Sequence, residues 1–153
     1  MKSILEKDFW SITSFLENKN YKFNKENILT QLPEKFIDEA IKAISSWDNY
    51  APTPLVKLNK LNDQLKFKNI YYKDEDKRFD LKSFKALGGA FAVYKIASEK
   101  KNITVSTATA GNHGRSVAWG AQRLGIKCKI FISEFVSESR AEAMRKLDAD
   151  VIR

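Results

Sequence analysis

The apolar residues near the amino end of the chain recur at helical spacing. From Pro33 onward they lie three and four positions apart, which predicts an amphipathic helix. Its apolar members are Phe36, Ile37, Ala40, Ile41 and Ile44. Residues 3–17 carry a shorter set of the same kind and predict another short helix. The segment "NYAPTPL" ends the helix that begins at Pro33, because Pro52 and Pro54 favour extended backbone in the residues before them.

After the proline-rich segment, strand patterns and helix patterns alternate, most clearly from about residue 69 onward. The predicted strands are "NIYYKDE", "ITVSTAT", "KCKIFIS" and a final "DVI". The predicted helices are "LNKLNDQLKF", "SFKALGGAFAVYKIASEK", "NHGRSVAWGAQRLG" and "SESRAEAMRKLDA". Strands that alternate with helices imply right-handed crossovers. The pattern therefore predicts an α/β fold with an open, mostly parallel sheet and flanking helices.

Three finer predictions concern the helices. The long helix has bulky apolar residues along one face: Phe84, Leu87, Phe91, Tyr94 and Ala97. Gly125 is expected in the left-handed conformation that stops the next helix. Ser139 and Glu142 have the spacing of a capping box at the start of the last one.

Composition indicates a globular domain of modest size. The chain has 153 residues, of which 43% are hydrophobic and 12% aromatic. Its apolar runs are too short to span a membrane, and Glu6, Lys7 and Asp8 interrupt any signal-peptide core. The single cysteine, Cys128, excludes an internal disulfide framework and is expected to be a buried, small apolar group. These features favour a cytoplasmic protein.

The net charge of +8 raises the question of an anionic partner. The lysines are spread along the chain and mixed with acids, as in "KDEDKRF", and no basic tract interleaves with aromatic residues. We therefore expect a solvated surface rich in lysine and no nucleic-acid partner. A basic α/β module without catalysis is the alternative from another functional class.

Lys85, in "SFKALGG", lies at the predicted start of the long helix, with Ser83 as a candidate cap. A lysine there is disfavoured by the helix dipole. If it is also partly desolvated, its amine loses a proton more easily and can attack a carbonyl. The simpler interpretation is a surface lysine.

The segment "TATAGNHGRS" joins a predicted strand, ending at Thr109, to a helix that begins near Asn112. Open α/β sheets bind ligands at such junctions. The amide of Asn112 could donate a hydrogen bond to a phenolate or carboxylate. His113, the only histidine, is interpreted as a structural occupant of the bend.

The remaining candidate residues are interpreted as structural or surface residues rather than as parts of a functional site. The arginines Arg78, Arg115 and Arg123 are expected to be solvated or paired on the surface. The tryptophans Trp10, Trp47 and Trp119 are expected to be packing residues. The acidic "KDEDK" lacks metal-ligand spacing and is interpreted as a solvated turn.

Three segments, in order, carry a resemblance: "APTPLVKL", "KDEDKRFDLKSFKALGGAFAVYK" and "TATAGNHGRSVAWGAQRLG". They resemble the pyridoxal-phosphate-dependent enzymes of the tryptophan-synthase-β fold, and within them most closely the diaminopropionate ammonia-lyases. The resemblance covers residues 50–153. It implies an N-terminal helical segment over residues 1–49, followed by part of a cofactor-binding domain.

The resemblance also implies a cofactor, the residues that bind it and an activity. Lys85 would bind pyridoxal 5′-phosphate through a Schiff base, Phe84 would flank the cofactor ring, and Asn112 would donate a hydrogen bond to its O3′. The implied activity is α,β-elimination of 2,3-diaminopropionate to pyruvate and ammonia, a C–N lyase reaction of amino-acid catabolism. The expected partner is a small amino acid, with no metal and no membrane. A full-length version is expected to be a homodimer.

The chain departs from that family pattern in two respects. Ala110 stands where diaminopropionate ammonia-lyases carry an aspartate that serves as a base, and "AGNH" is typical of threonine and serine dehydratases. A dehydratase is therefore the alternative lyase. Family members are more than twice this long, so their phosphate loop and the partner of the pyridine nitrogen are expected beyond residue 153. This polypeptide alone is thus expected to be a fragment with little or no activity.

Overall fold

The computed structural model describes residues 16, 18–20, 22–65 and 67–153. Most of the helix predicted over residues 3–17, and Trp10 with it, lies outside the described residues. The helices are α1 (Lys25–Gln31), α2 (Glu34–Ser45), α3 (Asn59–Leu65), α4 (Lys85–Glu99), α5 (Asn112–Leu124) and α6 (Glu138–Arg145). The strands are β1 (Leu55–Lys57), β2 (Tyr71–Lys73), β3 (Thr104–Ala108), β4 (Lys127–Phe131) and β5 (Ala149–Ile152).

Strands β3, β4 and β5 form a parallel sheet in that order, which confirms the predicted α/β fold. Val105 pairs with Cys128, and Ile130 pairs with Val151. β3 and β5 contain several β-branched residues, whose side chains pack well on a pleated surface. The sheet is therefore the framework on which α5 and α6 cross from one strand to the next.

The core lies between this sheet and the helices. Ile130, Met144 and Ala118 are completely buried, and around them lie Val93, Val105, Val117, Ala121, Cys128, Ile132, Val136, Ala141 and Ala149. Cys128 is buried as predicted, and this burial raises the pKa of its thiol. Within the described part of the chain, no helix has the length and apolar character that crossing a membrane requires.

The chain divides into two units that interleave in sequence. One unit comprises the residues up to Pro33 together with Leu55–Lys73, and the other comprises Glu34–Pro54 and Asp74–Arg153. In the first unit, β1 and β2 pair antiparallel. The strand β1 was not predicted, because its three residues directly follow a proline-rich segment. The predicted domain boundary at residue 50 stays a prediction.

The buried face of α4 differs from the predicted one. Its buried residues are small or β-branched: Ala86, Gly89, Ala90 and Val93. The bulky residues of the predicted face are half-buried or exposed, and Phe84 is 60% exposed. The prediction was wrong because α5 lies so close to α4 that only small side chains fit between them.

The predicted end of α5 is confirmed, since Gly125 has a φ of 64° and terminates the helix in the left-handed conformation. The predicted capping box of α6 is wrong. Ser137 precedes the helix and Ser139 lies inside its first turn, where its hydroxyl is 3.2 Å from that of Ser137. The helix begins one residue before the proposed cap.

Candidate functional site

Helices α4 and α5 run in the same direction. Ser116, in the second turn of α5, contacts the start of α4, and Gly120, one turn later, lies against Ala90. Further along, Tyr94 and Leu124 line one pocket. Because the helices are parallel, Lys85 and Asn112, the first residues of α4 and α5, lie at the same end of the pair. Since α5 follows β3, this end is the carboxyl edge of the sheet.

The hydroxyl of Ser116 joins the two helices. It is completely buried, donates a 2.5 Å hydrogen bond to the carbonyl of Lys85, and accepts one of 3.1 Å from the N–H of Ala90. A Cβ at Gly120 would lie 2.8 Å from Cα of Ala90, and one at Gly89 would collide with the side chain of Ser116. The close approach therefore depends on these glycines, and it fixes the backbone of Lys85 relative to α5.

Phe84, not the predicted Ser83, is the N-cap residue of α4, and its side chain makes no cap hydrogen bond. Ser83 lies one residue earlier and is buried, and its Oγ accepts a hydrogen bond of 3.2 Å from the N–H of Lys85. Lys85 is exposed, so the condition of partial desolvation is not met among the described residues. Its Nζ lies 5.3 Å from the centroid of the Phe84 ring, which is also exposed. A primary amine and an aromatic face are thus both accessible at this edge.

Arg78 anchors the segment that leads to Lys85. It is only 6% exposed, so its predicted surface location is wrong. Its Nε and Nη2 donate to the carboxylate of Glu75 at 2.9 and 3.0 Å, and further donors reach Oγ1 of Thr53 and the carbonyl of Ala51. The hydrogen bond to Glu75 raises the pKa of Arg78. Glu75, expected in a solvated turn, is instead half-buried in this network.

Phe79 provides a second anchor next to Arg78. Its φ is 43°, an uncommon value for a bulky residue. Its ring lies 4.7 Å from that of Trp119 and 6.1 Å from that of Trp47, so ring packing accompanies the unusual backbone. Both tryptophans are packing residues, as predicted. Arg123 is exposed, as predicted, and its guanidinium lies over their rings, 5.4 Å from the centroid of Trp47 and 4.9 Å from that of Trp119.

On its other side, α5 borders a cavity of about 580 Å³. The lining residues come from the end of β3, the start of α5 and the start of α6: Thr109, Ala110, Gly111, Asn112, Arg115, Ser139, Arg140 and Ala143. No lining residue is acidic. Nε of Arg115 is buried and has no hydrogen-bond partner among the described residues. This edge of the sheet is therefore electropositive.

His113 is exposed in the first turn of α5 and is not among the residues that line the cavity. Across residues 22–65 and 67–153, no cluster of histidine, cysteine, aspartate or glutamate could hold a metal ion. The interpretation of His113 as a structural residue stays a prediction.

The donor set at this edge fits an anionic, aromatic aldehyde. Lys85 supplies an exposed amine, Asn112 supplies an amide, and the first N–H groups of α5 carry partial positive charge. These features suit pyridoxal phosphate. Sequence reasoning proposed Lys85 and Asn112 as cofactor-binding residues, and that assignment stays a prediction. It missed the hydrogen bonds through which Ser116 and Arg78 hold the backbone near Lys85. The concentration of small residues in α4 and α5 was the available signal for Ser116, because it indicates closely packed helices.

Comparisons with known proteins identify the family of this chain. Residues 47–153 match the family described as pyridoxal-phosphate dependent enzyme. The diaminopropionate ammonia-lyase of Escherichia coli K12 is 38% identical over 121 residues, which cover 67% of this chain and 30% of that protein. The biosynthetic L-threonine dehydratase of Haemophilus influenzae is 34% identical over 100 residues, covering 65% of this chain and 19% of the relative.

The structural comparison gives the same relationship. The crystal structure of the Escherichia coli diaminopropionate ammonia-lyase, in complex with an aminoacrylate–PLP azomethine reaction intermediate, superimposes with a TM-score of 0.70. The two are 38% identical, and the match covers 75% of this chain and 33% of that one. The chain therefore spans about a third of the length of this relative. On the match over residues 47–153, the chain belongs to the family of pyridoxal-phosphate dependent enzymes.

Proposed function

We propose that this chain forms the amine-bearing part of the active site of a pyridoxal-phosphate-dependent ammonia-lyase. The observation that carries the proposal is the position of Lys85 and Asn112 at the same end of two parallel helices, which Ser116 joins. A lysine amine placed beside an amide donor at the carboxyl edge of a parallel sheet can both attach and orient the cofactor.

When bound, pyridoxal phosphate withdraws electrons from the substrate and so allows the α-proton and the β-substituent to leave. In this proposal, Nζ of Lys85 would attach the cofactor and, once released, would accept and return a proton. The side chain of Asn112 would donate a hydrogen bond to the ring oxygen, and Phe84 would contact the ring. The bond from Ser116 to the Lys85 carbonyl keeps the lysine backbone in place while its side chain moves.

A variant of Lys85 tests this assignment in a full-length version of the protein. We expect Lys85→Arg to abolish the visible absorbance band of amine-linked cofactor and to lower kcat by at least about a hundredfold. Lys82→Arg is the matched control, because Lys82 is also exposed and lies three residues earlier, before α4 begins. Retention of the band and of turnover by Lys85→Arg would refute the assignment.

For the substrate, we propose 2,3-diaminopropionate, with pyruvate and ammonia as products. The relatives named as diaminopropionate ammonia-lyases support this choice. Ala110 favours the alternative, threonine or serine dehydration, because alanine cannot act as a base at a position that faces the cavity.

Keto-acid release from D- and L-diaminopropionate, threonine and serine separates these substrates. The proposal expects diaminopropionate to have the highest kcat/KM, with the L-isomer preferred because Ala110 carries no acid. A higher kcat/KM for threonine would assign the dehydratase activity instead. The homodimer and a role in amino-acid catabolism stay predictions of the family resemblance, and the cytoplasmic location stays a prediction from composition.

A further inference from the structure

The guanidinium group of Arg123 lies in a corner formed by two indole rings. It is 5.4 Å from the centroid of Trp47 and 4.9 Å from that of Trp119, and the planes of the two rings meet at 78°. Contact with aromatic faces uses the flat sides of a guanidinium and leaves the N–H donors along its edges accessible. These donors have no hydrogen-bond or ion-pair partner among the described residues. The charge is therefore held in place but not neutralised.

A pocket of about 250 Å³ lies beside this guanidinium. Arg123 lines it together with Trp47, Ala90, Tyr94 and Leu124, and no carboxylate is among the lining residues. Most of the wall is thus aromatic or aliphatic, with one cation at its side. The volume is below the range of about 300–1,000 Å³ that is typical of sites for drug-sized ligands. The pocket therefore suits a compact molecule with one ring.

The electrostatic surroundings of the pocket favour an anion. The last carbonyl groups of α5 would repel an anion, but two of them already accept hydrogen bonds from the N–H of Gly125. A second pocket adjoins the first, since Tyr94 and Leu124 line both, and its lining adds Lys100 and Lys101. No carboxylate lines this second pocket either. The charged side chains that line the two pockets are therefore all cationic.

This pocket is separate from the cavity at the start of α5. Asn112 begins α5 and Arg123 lies in its last turn, so about 16 Å of helix axis separates them. The two sites share no lining residue, and Lys85 lines neither of them. Occupation of the pocket beside Arg123 therefore does not depend on whether Lys85 binds a cofactor.

We propose that this pocket binds a small aromatic monocarboxylate. The guanidinium of Arg123 presents paired N–H donors that match the two oxygens of a carboxylate. The ring of the ligand would lie against the apolar wall that Tyr94 and Leu124 help to form. A neutral aromatic molecule would leave the guanidinium unmatched, whereas a carboxylate without a ring would leave the apolar wall in contact with water.

Titration of the 153-residue chain with benzoate, benzyl alcohol and acetate tests the proposal, at constant ionic strength and without cofactor. Binding is followed through the indole N–H NMR signals of Trp47 and Trp119, which lie at the site. We expect benzoate to bind at least about tenfold more tightly than either other probe, because benzyl alcohol lacks the charge and acetate lacks the ring. An affinity for benzoate equal to that for benzyl alcohol or acetate would overturn the proposal, and so would unchanged indole signals.

Variants of Arg123 show whether its guanidinium carries the effect. Arg123→Gln is expected to weaken benzoate binding by about tenfold and to remove the preference over benzyl alcohol. Arg123→Lys keeps the charge without the paired donors, and we expect it to recover part of the affinity. Thermal unfolding checks that both variants fold. Benzoate binding to folded Arg123→Gln as tight as to the unaltered chain would show the assignment to be wrong.

Arg140→Gln is the matched control for net charge and for the other cavity. Arg140 is exposed on α6, lines the cavity at the start of α5, and loses the same charge in this variant. We expect its affinity for benzoate to equal that of the unaltered chain. If Arg140→Gln weakens benzoate binding as much as Arg123→Gln does, the attraction comes from overall charge or from the other cavity, and the proposed site is wrong.

Discussion

Two sets of polar side chains lie near the carboxyl edge of the sheet, and they differ in their partners. Arg78 and Ser116 are buried, and both donate hydrogen bonds to other groups of the protein. Lys85, Asn112, Arg115 and Arg140 make no side-chain hydrogen bond or ion pair within the part of the chain that the structure describes. The first set holds the backbone in place, whereas the second remains available for ligands.

Replacing Arg78 is expected to have the largest effect, because it removes most of the hydrogen bonds made by the buried set. Arg78→Gln would remove the ion pair and the two hydrogen bonds that the buried guanidinium makes with Glu75, and we expect a loss of about 3 kcal/mol in the free energy of unfolding. Urea unfolding measures this loss in the free energy of unfolding. The control is Arg145→Gln, which breaks an exposed pair and should cost much less. Similar unfolding midpoints for the two variants would contradict the assigned role of Arg78.

The close contact between α4 and α5 can be tested with adjacent glycines. Gly89→Ala would place a methyl group against Ser116, and we expect a loss of about 1–3 kcal/mol. Gly88→Ala meets nothing within 4 Å, so it should instead gain about 0.5–1 kcal/mol through helix propensity. Thermal or urea unfolding distinguishes the two. Adding Ser116→Gly to Gly89→Ala should restore part of the loss, because it removes the atoms that collide.

The hydroxyl of Ser116 can be removed without a collision. Ser116→Ala deletes one donor and one acceptor, and we expect a loss of about 1–2 kcal/mol in the free energy of unfolding. Ser106→Ala, on an exposed position of β3, is the control and should change stability little. Equal stability of both variants would show that the bridge between the helices is unimportant.

The smallest effect concerns Glu138, which forms ion pairs with Arg145 and Arg153. Arg140 on the same helix has no ion-pair partner among the described residues. Hydrogen bonds from Arg145 and then Arg153 lower the pKa of Glu138. A carboxyl group whose pKa is lower in the folded state than in the unfolded state stabilises the fold at pH values above the unfolded-state pKa. This contribution is lost as the pH falls through the folded-state pKa. The Tm difference between the unaltered chain and Glu138→Gln should therefore shrink in acid. A difference independent of pH would contradict this pairing.

The sequence predicted those features that depend on local pattern. The apolar, β-branched segments identified β3 and β4, and Gly125 marked the end of α5. The face of α4 was mispredicted because a close helix pair selects small residues, whereas the pattern of bulky residues indicates only hydrophobicity.

The features that escaped prediction depend on distant partners. Arg78 contacts Thr53 and Ala51, which lie 25 and 27 positions away, and nothing local signals such a contact. The cavity that joins Arg115 to Arg140 likewise arises from two different helices. Lys85 and Asn112 could be proposed as candidates because each belongs to a short motif, and the structure places each at a helix start.

The central claim is that Lys85 is the lysine that attaches the cofactor. Incubation of the chain with pyridoxal phosphate, reduction with borohydride and peptide mapping by mass spectrometry identify the modified lysine directly. The structure predicts that the label is on Lys85, at the first turn of α4. A label on other lysines, with Lys85 unmodified, would contradict the account.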